Sequence, residues 1–190
     1  PRLIDFRKTW REREPQWFNA PVPSFGPKDA QVLIVGLAPG LRGANRTGRP
    51  FTGDFAGDLL YATLKEFNFA RGEFEARPDD TLELVDARIT NAVRCVPPEN
   101  KPTQLEINTC RTFLMPTLQE MTRLRAIVVL GRIAHESVVK ALGGKRAAAP
   151  FSHGATAELG RYILFSSYHC SRYNTNTGVL TPTMFRAVFA

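Results

Sequence analysis

Asp54 closes the run N-R-T-G-R-P-F-T-G-D, directly ahead of an apolar helical pattern. A carboxylate there can cap the helix, or it can act as a base that orients water, with the nearby Phe51 offering a stacking face. His169 stands in a loop of small polar residues, Ser166-Ser-Tyr-His-Cys-Ser171, where an imidazole is free to do chemistry. Asn91 and Asn100 flank the stretch N-A-V-R-C-V-P-P-E-N. Their amides each carry one acceptor and two donors, the complement of a pyrimidine edge, although Asn100 beside prolines equally suits a turn. Three glycines, Gly36, Gly40 and Gly43, fall within eight residues and permit close backbone approach to a ligand. Their spacing matches neither a Walker nor a dinucleotide fingerprint.

These residues need elements to hold them. Gln31–Val35 is a short apolar run suited to a strand buried on both faces. Ala56–Phe67 has helical spacing, Leu82–Thr90 reads as a strand, and Gln104–Glu120 as a helix. Ala126–Leu130 is again a strand, followed by a helix over Ile133–Leu142 that Gly143-Gly144 ends. Tyr162–Ser167 supplies a fourth strand and Pro182–Phe189 a closing helix, while Leu3–Arg13 forms an amphipathic helix at the start. Strand–helix alternation of this kind predicts one domain over residues 1–190, an α/β/α sandwich around a mainly parallel, four-stranded sheet. Ligands of such sheets bind at the carboxyl ends of the strands, and the chemistry-bearing residues follow those ends. His135 is expected on a helix surface without a role.

The 190 residues include 43% hydrophobic and 23% charged residues, which argues against disordered and fibrous classes. No apolar run is long enough to span a membrane. The net charge of +7 suits a polyanionic partner, and the polar loop with Arg172, Tyr173 and Asn174 suits entry into a nucleic-acid groove. Three cysteines form no disulfide framework, which points to a reducing cytoplasm. Cys95 and Cys110 are read from the residues alone as buried apolar side chains.

Five ordered segments resemble the uracil-DNA glycosylase superfamily, most closely its fifth family, whose members carry an iron–sulfur cluster. They are P-V-P-S-F-G near residue 22, G-L-A-P-G from Gly36, N-R-T-G-R-P-F-T-G-D ending at Asp54, N-A-V-R-C-V-P-P-E-N-K-P from Asn91, and S-Y-H-C-S-R-Y-N-T-N-T-G from Ser167. The resemblance implies a monomeric, monofunctional enzyme that flips uracil, and in some members other deaminated bases, out of DNA and hydrolyses the N-glycosidic bond. It implies catalytic roles for Asp54, which handles water, for Asn100, and for His169 at the uracil O2. It implies base contacts from Gly36, Leu37, Ala38, Gly40, Phe51 and Asn91, and DNA contacts from Arg46, Arg49, Arg172, Tyr173 and Asn174. Other families carry Asp or Asn where this chain has Gly40, so the water falls to Asp54.

The family's 4Fe-4S cluster takes four thiolates, of which Cys95 and Cys110 match two. The other two belong to a Cys-x-x-Cys just ahead of the segment that Pro1-Arg2-Leu3 matches, so they are expected upstream of Pro1 or absent. Two further readings stay open at this level: a nucleic-acid-binding module on a decayed glycosylase fold, and a hydrolase of free nucleosides.

Overall fold

A computed structural model describes residues 2–190. Its elements in order are α1 (Arg2–Arg13), β1 (Val32–Gly36), α2 (Ala44–Thr47), α3 (Phe55–Glu66), β2 (Ala70–Arg71), β3 (Glu83–Leu84), β4 (Ala87–Asn91), α4 (Gln104–Glu120), β5 (Ala126–Leu130), α5 (Arg132–Ala141), β6 (Thr156–Leu159), β7 (Tyr162–Ser167), α6 (Arg172–Asn176) and α7 (Pro182–Ala187). The central sheet runs β4-β1-β5-β7-β6. The first four of these strands are parallel, and β6 is antiparallel to β7. Val32–Gly36 and Ala126–Leu130 are almost wholly buried because helices cover both faces. Two apolar clusters flank the sheet: one joins Leu33, Val35 and Ile127 to Leu118 and Val138, the other joins Ile34, Ile89 and Val128 to Leu60, Leu64 and Phe185.

The sandwich is the predicted one, with five strands in the sheet where four were expected. The fifth, β6, pairs with β7 through the two-residue turn Gly160-Arg161, with Gly160 at a φ of 62°. As an edge strand it alternates exposed and half-buried residues and so lacks a continuous apolar run. The strand expected over Leu82–Thr90 is also divided. Asp86 takes a φ of 51°, and its carboxylate accepts the Gln31 N–H and the Gln31 side-chain amide at 2.8 Å each. That turn sends β3 into a small antiparallel pair with β2 and leaves β4 beside β1. α2 and α6 are single turns inside segments expected to be loops. Among the described residues, no helix is long and apolar enough to cross a membrane.

His135 corrects its expectation. It is 2% exposed, with Nδ1 at 3.0 Å from Ser166 Oγ and Nε2 at 2.8 Å from the Ala149 carbonyl. It ties α5 to β7 and to the segment before β6, because a buried imidazole needs a partner at each nitrogen.

Candidate active site

The carboxyl ends of β1, β4 and β7 open onto one side of the sheet, where the loops form a cleft of about 610 Å³. Leu37, Ala38, Gly40, Asp54, Asn100, His169 and Arg172 all line it. The structure therefore brings together three residues that stand far apart in the chain: Asp54 after the glycine loop, Asn100 after β4 and His169 after β7.

Asp54 occupies the N-cap position of α3, yet its side chain makes no capping hydrogen bond, and its buried Oδ1 has no partner among the described residues. Its carboxylate packs against the glycine loop. A Cβ on Gly40 would stand 2.9 Å from Oδ2, and one on Gly43 would stand closer still. Burial pushes the carboxyl above its ordinary range, against the pull of the Gly57 and Ala56 backbone N–H groups, and nearby Asp58 adds to the rise. A desolvated carboxylate is a stronger base than a solvated one.

His169 sits two residues past β7, and burial lowers its imidazole to about 4. At neutral pH the ring is therefore uncharged and presents one N–H and one lone pair. Its backbone is anchored from both sides. The Asn174 amide donates to the His169 carbonyl at 2.8 Å, and the preceding Tyr168 N–H donates to His153 Nδ1 at 3.2 Å. The Phe51 ring lies nearly parallel to the His169 ring, with centroids 6.0 Å apart.

Phe51 and Asn91 meet at Gly36, where a Cβ would stand 2.6 Å from the Phe51 ring and 2.5 Å from Asn91 Oδ1. Gly36 thus lets the chain end of β1 pass between an aromatic face and an amide. Asn91 Oδ1 is buried and has no partner among the described residues, an acceptor held ready for an N–H donor. Asn100 is exposed at the rim and follows Glu99, with both residues in the left-handed region at φ values of 57° and 55°. Two consecutive non-glycine residues in that region cost energy that persists only where surrounding structure fixes them.

The residues expected at a nucleic-acid surface divide. Arg46 is exposed, with its guanidinium over Gly53 at the cleft edge. Arg172 is exposed in the cleft wall, 5.2 Å above the Phe55 ring, and Tyr173 beside it is 74% exposed. Asn174 is half-buried, and its amide is engaged by the His169 carbonyl. Arg49 overturns its expectation: it is 5% exposed and bound to Asp80 and Thr52, so its guanidinium is turned into the protein. Sequence reasoning missed Asp80 and His153, neither of which carried a local signal.

Cys95 and Cys110 line a separate groove of about 660 Å³ between α1 and α4, together with Arg7 and Arg94. Burial raises both thiols; the Arg7 charge opposes this at Cys95, and the Arg94 backbone and charge oppose it at Cys110. Cationic side chains beside two neighbouring thiols suit a negatively charged occupant held by thiolates. Among the described residues, no three metal-ligating side chains cluster, so this groove offers two ligands. Pro1, part of the segment that the resemblance sets beside the other pair, lies outside the described residues. Cys170 is elsewhere, fully buried, its thiol pushed to about 12 by burial and directed at the Ala56 carbonyl.

Comparison with known proteins agrees with this geometry. The family model described as the Uracil DNA glycosylase superfamily matches residues 23–190. A type-5 uracil-DNA glycosylase of Thermus thermophilus is 45% identical over 196 residues, covering 99% of this chain and 88% of the relative. The type-5 uracil-DNA glycosylase of Pyrobaculum aerophilum is 40% identical over 95% of this chain and 80% of its own length, and that of Mycobacterium leprae is 41% identical over 100% and 86%. By this match and this likeness the chain belongs to the uracil-DNA glycosylase superfamily, alongside its type-5 members.

Proposed function

We propose that the protein is a DNA-repair glycosylase that extrudes uracil from DNA and hydrolyses its N-glycosidic bond, leaving an abasic site. The observation that carries the reading is the meeting of Asp54 and His169 on one cleft. In this reaction the C1′–N1 bond breaks and its electron pair leaves with the base, so the sugar becomes cationic and the uracil anionic. The neutral His169 donates an N–H toward O2, where that negative charge gathers. Asp54 stabilises the cationic sugar, accepts a proton from the attacking water, and so delivers its oxygen to C1′. The departing uracil anion takes up a proton at nitrogen from solvent.

Phe51 stacks on the extruded base, and the unpartnered Asn91 Oδ1 accepts an N–H from its edge. The backbone from Gly36 through Leu37 and Ala38 to Gly40 lines the base site, and Asn100 meets the sugar side of the reaction centre. Arg46, Arg172 and Tyr173 face DNA, with Arg172 and Tyr173 entering the gap that the base leaves. A cleft of about 610 Å³ with no side chain at Gly40 also suits a deaminated purine. The enzyme acts as a monomer in the compartment that holds DNA.

In the groove, Cys95 and Cys110 would hold a 4Fe-4S cluster as two of its thiolates. The remaining two would have to come from outside the described residues. Held there, Cys95 after β4 and Cys110 in α4 would be joined to one another through the cluster, a structural cross-link. Arg7 and Arg94 favour the thiolate forms there.

The test is incubation with a uracil-containing oligonucleotide followed by alkaline cleavage. Strand scission at the uracil position is expected. No scission at enzyme excess, with DNA binding intact, would favour a binding module instead.

A further inference from the structure

We propose that Arg49 and Asp80 are a positioning pair for the cleft, fixing the turn Pro50–Asp54 and with it the Phe51 ring and the Asp54 carboxylate. The inference rests on the roles given above to Phe51 and Asp54. Arg49 donates from Nη1 and Nη2 to the two Asp80 oxygens at 2.7 Å each, and the two side chains are only 6% and 0% exposed. Its Nε donates to Thr52 Oγ1 at 2.8 Å. The guanidinium is enclosed by the rings of Phe25, Tyr61 and Phe74 at 5.2 to 5.8 Å.

The same turn is held at further points. The Tyr61 hydroxyl donates to the Pro50 carbonyl at 2.6 Å, and Thr47 Oγ1 donates to the Thr52 carbonyl at 3.0 Å. Between these points Phe51 takes a φ of 52°, a conformation that a phenylalanine keeps only when its surroundings impose it. Each anchor therefore bears on the residue whose ring lies against Gly36 and His169.

Asp80 is as fully engaged as its partner. Besides the guanidinium, it accepts the Glu75 N–H at 2.9 Å and the Leu82 N–H at 3.1 Å. Burial alone would raise this carboxyl, but hydrogen bonds from Arg49, Glu75 and Leu82 outweigh it and bring the group to about 2. Through Asp80 the connection between β2 and β3 becomes a buttress of the catalytic turn. Lysine cannot replace the arginine, because a single ammonium cannot make two parallel bonds to a carboxylate while also reaching Thr52.

The experiment compares single-turnover uracil release, DNA affinity and its salt dependence, and thermal melting for wild type, Arg49→Lys, Arg49→Gln and Tyr61→Phe. Release by Arg49→Lys is expected to fall about 100-fold, as for a misplaced reacting group. Tyr61→Phe keeps the ring, loses one hydrogen bond, and is expected to fall about 5-fold. DNA affinity stays at the wild-type value in both. The acid limb of release moves toward lower pH in Arg49→Lys, because a loosened turn admits water to Asp54. The salt slope of Arg49→Gln stays at wild type, whereas loss of a phosphate contact would lower it by about 0.9. Arg49→Lys and Tyr61→Phe within twofold of wild type, or a lowered salt slope in Arg49→Gln, would overturn the proposal. Tyr61→Phe decides alone if the arginine variants fold poorly. An inactive wild type overturns the glycosylase reading and this inference with it; an active wild type with unaltered variants overturns this inference only.

Discussion

Burial acts on Asp54 and His169 in opposite senses, raising the carboxyl and lowering the imidazole to about 4. Both effects disfavour the charged form, and they have different consequences for folding and for catalysis. A carboxyl raised in the folded state binds protons more tightly there than in the unfolded chain, so its ionisation above the unfolded value of 3.8 costs stability. Asp54→Asn is thus expected to raise the melting temperature at pH 7 while slowing turnover about 10²- to 10⁴-fold, which calorimetry beside an activity assay will check. For His169 the unfolded chain takes up the proton first. Its contribution to stability is complete above 6.5 and is lost as pH falls from there to about 4. Removing the N–H with His169→Ala should slow release by about 10²- to 10³-fold, the usual cost of losing one donor to a developing anion. DNA affinity measured in parallel should stay unchanged.

The elements were legible in the sequence where one physical demand governed them. Val32–Gly36 and Ala126–Leu130 are covered on both faces and so appear as unbroken apolar runs. The structure adds a capping box at the start of α4: Thr103 Oγ1 accepts the Glu106 N–H, and Glu106 accepts the Thr103 N–H at 2.7 Å. Thr103→Ala should cost about 1 kcal/mol of stability in a denaturant titration. The same Glu106 binds Arg2, whose hydrogen bond is the main reason its carboxyl falls to about 2, so α1 is pinned near the Cys110 groove. Where demands conflicted, the pattern failed. β6 is half exposed, and Asp86 breaks a stretch whose composition is strand-like throughout. His135 lies in α5 among buried Ala134, Val138 and Val139, so its helical phase already assigned it to the core. Arg49 and Asp80 are 31 residues apart, and no local spacing connects them. His169 stood out as a candidate because it lies two residues past β7, and Asp54 because it directly precedes the apolar pattern of α3, whereas the ion pair depends on tertiary packing.

At the scale of the molecule, the +7 charge has to be tied to particular side chains before it says anything about DNA. Arg49 is spent internally, which leaves the exposed Arg46 and Arg172 at the cleft. Arg46→Gln should weaken binding to uracil-free and uracil-containing duplex alike, and lower the salt slope by about 0.9, as fluorescence anisotropy across a salt series will measure. The fold as a whole should lose stability in acid in two stages. His169 contributes from 6.5 to about 4, and Asp80 and Glu106 contribute from their unfolded values of 3.8 and 4.5 down to about 2. The proposed reaction rests on one arrangement, the Asp54 carboxylate and the neutral His169 imidazole on one cleft. Its most direct test is single-turnover release of uracil from a duplex oligonucleotide by wild type and by Asp54→Asn across pH. Release by wild type is expected with an acid limb above 3.8, and a loss of about 10²- to 10⁴-fold in the variant with DNA affinity retained. Release by Asp54→Asn at the wild-type rate and with the same acid limb would contradict it.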